Sequence, residues 1–152
     1  MTDLENGIAL VESAIKQMNI DPVACRGKIP GQYTMVQGSI QIWIDIFFSE
    51  KENACYFQVM SPILSLNGVT NSAALYEELL KINDGFYNVA FTIYDNTVWL
   101  KNIREVKGLD ESEIIAQIRR VGTYGDQYDD ILKQKYMANY KTPGVVGSPP
   151  PQ

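Results

Sequence analysis

Cys25 beside Arg26, the carboxylates of Asp126, Asp129 and Asp130, and the adjacent Glu77 and Glu78 are the side chains whose types and spacing could support chemistry. A guanidinium next to a thiol lowers its pKa and favours the nucleophilic thiolate. No His and no Cys-x-x-C pair accompanies Cys25, so a structural thiol is the simpler reading. The three aspartates lack the D-x-[DN]-x-[DN]-G order of a calcium loop and read as a solvated helix face. Glu77 and Glu78 have Lys81 at helical spacing, again a wet face. The 152-residue chain contains no His at all, which removes the usual general base near neutral pH, the imidazole metal ligand and the His-dependent triads. No P-loop, G-x-G-x-x-G or H-E-x-x-H occurs, and Gly122-x-x-Gly125 matches a KH loop only as a string. The expectation is a protein that is not an enzyme and carries no cofactor or metal.

Charge narrows the partners. With 13 Lys and Arg against 18 Asp and Glu, the net charge is −5, which repels phosphate backbones and anionic headgroups. Neither nucleic acid nor a membrane surface is the expected partner. Two cysteines 30 positions apart fit free thiols in a reducing compartment. Acid rather than Lys or Arg near the start, and no apolar run approaching the ~18 residues of a span, favour a cytoplasmic protein.

The elements that position these residues follow from periodicity. Leu4, Ile8, Val11, Ile15 and Met18 paint one stripe on a first helix, stopped at Asp21-Pro22 and followed by a loop over Gly27 to Gly31. A short strand at Tyr33 to Val36 precedes the clearest period in the chain. There Ile40, Ile42, Ile44 and Ile46 alternate with Gln41, Trp43, Asp45 and Phe47, which is a strand with unlike faces. After the charged turn at Ser49 to Asn53, Ala54 to Met60 returns as its antiparallel partner. Pro62 to Thr70 reads as irregular. Asn71 or Ser72 then caps a helix holding Leu75, Leu79 and Ile82, which ends near Asp84-Gly85.

Strands at Asn88 to Tyr94 and Thr97 to Asn102 flank Asp95-Asn96, a hairpin turn. Leu109 to Ile114 combines a capping box with a hydrophobic staple and starts the last helix, which Gly122 and Gly125 are expected to bend or to press on a neighbour. Residues 1–140 are expected to form one domain, and 141–152 a disordered or polyproline II tail. The fold class is α+β in the order α-β-β-β-α-β-β-α, an antiparallel five-stranded sheet with helices on one face.

Aligning the strands places Ile42, Ile44, Phe57, Val59, Phe91, Ile93, Val98 and Leu100 under the helices. The opposite face collects Trp43, Phe47, Tyr56, Met60, Tyr94 and Trp99, among Gln41, Asp45, Gln58, Thr92 and Lys101. Apolar-in, polar-out alternation does not put two tryptophans outside unless something covers or binds there. Two readings stand. Cross-strand aromatic pairs stabilise a half-exposed sheet, or are covered by a loop or a second copy. Alternatively these six residues are a surface for a protein or peptide partner. Stacked nucleobases fit poorly, because Asp45 lies among the aromatics and Lys101 is nearly alone as a cation. A small-ligand or metal-sensing regulatory domain is the alternative function, and a closed pocket with convergent polar groups would mark it.

Three stretches carry a family likeness: Leu75-Tyr76-Glu77-Glu78-Leu79-Leu80-Lys81-Ile82-Asn83, Phe91-Thr92-Ile93-Tyr94-Asp95-Asn96-Thr97-Val98-Trp99-Leu100, and Leu109-Asp110-Glu111-Ser112-Glu113. With the element order over residues 1 to 137, they resemble the YbjN family, whose fold is similar to that of type III secretion chaperones. The resemblance implies a small acidic homodimer that binds proteins and catalyses nothing. Secretion chaperones hold extended client segments on hydrophobic patches, and the YbjN branch is linked to sensory-transduction or stress regulation. Ser61 to Thr70 and the glycines of the last helix depart from the family pattern, and no interface residue is carried over.

Overall fold

Ile40, Ile42, Ile44 and Ile46 are all buried, whereas Trp43, Asp45 and Phe47 between them are not, so the period-two pattern sets a strand with one covered side. In the computed structural model, residues 1–140 are described. The tail expected at 141–152 lies outside them. The elements are α1 (Asp3–Gln17), α2 (Pro22–Cys25), β1 (Gln32–Gln37), β2 (Ile40–Ser49), β3 (Ala54–Ser65), a 3-10 turn (Leu66–Gly68), α3 (Ser72–Asp84), β4 (Ala90–Tyr94), β5 (Thr97–Glu105) and α4 (Glu111–Tyr136). The five strands form one antiparallel sheet in the order β1-β2-β3-β5-β4. The expected α+β architecture is therefore present, with the single turn α2 added.

Three caps explain where the long helices start. Thr2 and Glu5 form a capping box on α1, Asp110 and Glu113 form another on α4, and the Asn71 side chain accepts the Ala74 N–H on α3. Val11 and Ile15 from α1, Leu75 and Leu79 from α3, and Ile114, Ile118, Val121 and Leu132 from α4 close one core over Ile42, Ile44, Phe57, Val59, Phe91, Val98 and Leu100. Burying a side chain such as Phe57 contributes roughly 1.5–3 kcal/mol. That core fixes which way β2 faces, because slipping its register by one residue would bury Asp45 and expose the isoleucines.

Three expectations are corrected. Ile93 pairs with Val98 yet is 49% exposed, because it lies toward the hairpin turn on the edge strand β4. The expected irregular stretch starts at Leu66 and not at Pro62: β3 continues to Ser65, buries Ile63 and Leu64, and absorbs the proline in a bulge between Pro62 and Leu64. Asp21-Pro22 does not stop α1, which ends at Gln17 with Asn19 in the left-handed region; instead Asp21 accepts the Val23 N–H and Pro22 occupies the first turn of α2. Of the two outcomes expected at Gly122 and Gly125, α4 shows the close approach to a neighbour, within one continuous helix. Here the glycines serve close approach: a Cβ on Gly125 would collide with Ile40 Cδ1, so the β1–β2 hairpin seats directly on the helix.

Candidate functional site

The register brings the uncovered residues into rows. Trp43 opposes Met60, and Met60 opposes Lys101, so these three cross the sheet from β2 through β3 to β5. One row along, Asp45 lies between Gln32 and Gln58. Trp99 opposes Pro62 and Thr92 in the row on the other side. Strand twist and the length of the indoles let Trp43 reach across β3 to Trp99, with ring centroids 5.2 Å apart and planes at 62°. The Trp99 Nε1–H donates to the Tyr94 carbonyl at 3.1 Å, which fixes that ring.

Between these rows runs a groove of about 600 Å³. Of the six residues singled out by alternation, Trp43, Met60, Tyr94 and Trp99 line it together. Phe47 and Tyr56 do not. They stack on one another at 6.0 Å, two residues along their strands from Asp45 and Gln58, as a separate aromatic pair. Trp99 is only 8% exposed, so it is the floor of the groove rather than surface, while Trp43 at 40% and Tyr94 at 71% remain open. Gln32, Thr34 and Gly27 close the β1 end. Sequence reasoning missed these three, because their place depends on how the loop before β1 returns to the sheet.

The polar groups of the groove are unequal. Burial pushes the Asp45 carboxyl above its usual value, and the amides of Gln58 and Gln32 partly offset this by hydrogen bonding. Gln58 Nε2 is 3.5 Å from Asp45 Oδ2 and 3.0 Å from Met60 Sδ. No Lys or Arg stands within 4 Å of Asp45 among the described residues. Lys101, two strands away, likewise has no carboxylate partner among them.

The sheet edges are less free than the face. Asn83 accepts the Phe91 N–H at 2.7 Å and donates to its carbonyl at 3.2 Å, as a neighbouring strand would. On the other edge, Arg26 bridges to Tyr33 and the Gly27 N–H donates to the Gln32 carbonyl at 2.7 Å.

Cys25, Asp126 and Asp129 hold structure. Burial first, then the negative charge of Asp21, raises the Cys25 thiol pKa, the reverse of an activated nucleophile. Arg26 points instead to Glu12, at 2.8 and 2.9 Å. Asp126 and Asp129 accept from Ser39 at 3.0 and 2.9 Å and tie the β1–β2 turn to α4. Among the described residues no group of three or more Cys, Asp or Glu is placed to hold a metal ion. No helix there is long and apolar enough to cross a membrane.

No protein-family model matches the chain, and no curated protein matches it in sequence. Solved structures do match in fold. A chain of the ExsC-ExsE complex superposes with a TM-score of 0.64 at 8% identity, over 87% of this chain and 97% of that one. A chain of the HopA1-SchA chaperone-effector complex gives 0.60 at 8% identity, over 85% and 98%. Over most of its described length the chain thus shares the α+β fold found in these two complexes.

Proposed function

We propose that this chain is a non-catalytic protein-binding module, chaperone-like or regulatory, which works as a cytoplasmic homodimer and takes a peptide segment of another protein on the aromatic face of its sheet. The observation that carries the reading is the groove itself: a concavity walled by Trp43, Met60, Tyr94 and Trp99 on a face that no helix among the described residues covers. Trp, Tyr and Met are the residue types that give interface cores their contact area and adaptability. Two structures that share the fold are complexes, one of them of a chaperone with an effector, which fits the same use here. The YbjN likeness adds a regulatory setting. Tyr76 and Leu80, one turn apart on the outer side of α3, supply apolar surface for a second copy.

Panning a phage-displayed library of random peptides against the immobilised chain tests the groove. Enriched peptides are expected to bind the wild type and to lose about tenfold or more in affinity on Trp43→Ala, the usual loss for a central aromatic. Absence of enrichment, or equal binding to the variant, overturns the reading. Sedimentation equilibrium tests the dimer, and Leu80→Glu is expected to leave a folded monomer. A groove of about 600 Å³ is also within the range of small-ligand sites, so competition of the enriched peptides by a free metabolite mixture would turn the conclusion toward a ligand-sensing domain.

A further inference from the structure

We propose that the corner of the groove formed by Trp43 and Asp45 is a seat for a guanidinium, so that the segment bound there is one that carries an arginine. The inference rests on the groove being the protein-binding site and names the chemistry of its occupant.

The first ground is the company Asp45 keeps. Glu12, Glu78, Glu113 and Asp129 are also at least partly buried, and each holds an Arg or Lys of the same chain within 4 Å, whereas Glu111 and Asp130, partly buried without a cation, meet the Gln17 amide and the Tyr140 hydroxyl away from the groove. Asp45 has the amides of Gln32 and Gln58 and no cation. A carboxylate drawn out of water with only neutral partners is left with unspent attraction for positive charge. Its raised pKa is the same imbalance seen from the proton's side.

The second ground is the wall beside it. Trp43 and Asp45 are two residues apart on β2, so their side chains project from one face about 6.6 Å apart at the backbone. The indole of Trp43 meets Trp99 at an angle of 62° and stays 40% exposed, which leaves ring surface for a planar cation. A guanidinium can lie on an indole while its N–H fork meets a carboxylate, and a lysine ammonium, a hydrated point charge, cannot do both as well.

Lys101 is the groove's own cation and must be weighed against this. It lies two strands and one residue pair from Asp45, which sheet spacing converts to about 12 Å between backbones. That exceeds the screening length of ~8 Å at physiological ionic strength, so its repulsion of an arginine at Asp45 is weak. The chain's net charge of −5 draws positively charged segments toward it.

The chain has two tryptophans, so its two indole N–H signals in a nitrogen-edited NMR spectrum report the site separately. N-acetyl-arginine amide, its neutral isostere N-acetyl-citrulline amide and N-acetyl-lysine amide are the probes. Arginine amide is expected to shift the Trp43 signal saturably, with citrulline amide about tenfold weaker, the difference one charge-assisted contact makes, and lysine amide in between. Asp45→Asn is expected to erase the preference for arginine while the Trp99 signal, held by the Tyr94 carbonyl, keeps its position and shows the sheet intact. Equal response to arginine and citrulline, or a preference that survives Asp45→Asn, overturns the seat. Peptides that depend on Trp43 but contain no arginine and ignore Asp45→Asn would overturn this inference and leave the protein-binding groove standing. An arginine preference without any peptide binding would do the reverse.

Discussion

Glu12 and Asp45 sit on opposite sides of the same end of the molecule and were finished differently. Glu12, on α1, receives a bidentate guanidinium from Arg26 and the Tyr33 hydroxyl at 3.0 Å, and the hydrogen bond from Arg26 holds its carboxyl below the usual value. Asp45, on β2, stands among two indoles, a thioether and two amides, and burial holds its carboxyl above the usual value. One carboxylate belongs to the fold and is satisfied by it. The other is tolerated by the fold, which is the signature expected of a group kept for something outside it. The same division runs through β2 as a whole, whose even residues Ile42, Ile44 and Ile46 are sealed while Trp43, Asp45 and Phe47 are not.

The largest effect that sharpens this contrast compares neighbours on β2. Ile44→Ala removes a fully buried side chain and is expected to cost about 2–5 kcal/mol in chemical denaturation. Trp43→Ala, one residue away, gives up an edge contact and half-exposed area, and is expected to cost no more than about 1.5 kcal/mol while weakening peptide capture about tenfold or more. A Trp43→Ala variant as unstable as Ile44→Ala would show that the indole pair is core and not a binding surface.

The covered side of that contrast was legible from the chain, because each of its signals is local. Period-two isoleucines, the Asp95-Asn96 turn and the Asp110 capping box all resolve within a few residues, and the five-stranded α+β plan follows. The uncovered side was legible only as a set of candidates. That Phe47 and Tyr56 part company with the tryptophans is decided by register, which places the Asp45–Gln58 pair between them. That Trp99 becomes floor and Trp43 wall is decided by reach across β3. Pro62 misled because a proline argues against a central strand, and only the bulge beside it, a tertiary feature, lets β3 continue.

A smaller effect tests the satisfied carboxylate. Arg26 and Glu12 are 51% and 26% exposed, so solvent screening keeps their pair weak. Because the folded-state pKa of Glu12 lies below its unfolded value, its contribution is present above the ordinary carboxylate range and is lost as pH falls through the lowered value. Glu12→Gln is therefore expected to lower the melting temperature slightly at neutral pH and not at all in strong acid, and an acid-independent loss would mean that the Tyr33 contact alone matters.

The smallest effect has the opposite sign and is the most telling. Asp45 has a raised folded-state pKa, so the folded protein holds that proton more tightly than the unfolded chain does. Stability then declines as pH rises from the ordinary carboxylate value through the raised one, and the charged carboxylate is a burden at neutral pH. Asp45→Asn keeps the shape and the amide contacts but removes the charge. It is expected to leave the melting temperature unchanged in acid and to raise it slightly at neutral pH. Measured as a melting curve at each pH for wild type and variant, a gain that appears only as Asp45 ionises would mean that the fold carries this charge at its own expense. A loss at neutral pH would mean that Gln32 and Gln58 satisfy the carboxylate as fully as Arg26 satisfies Glu12, and the distinction between the two acids would collapse.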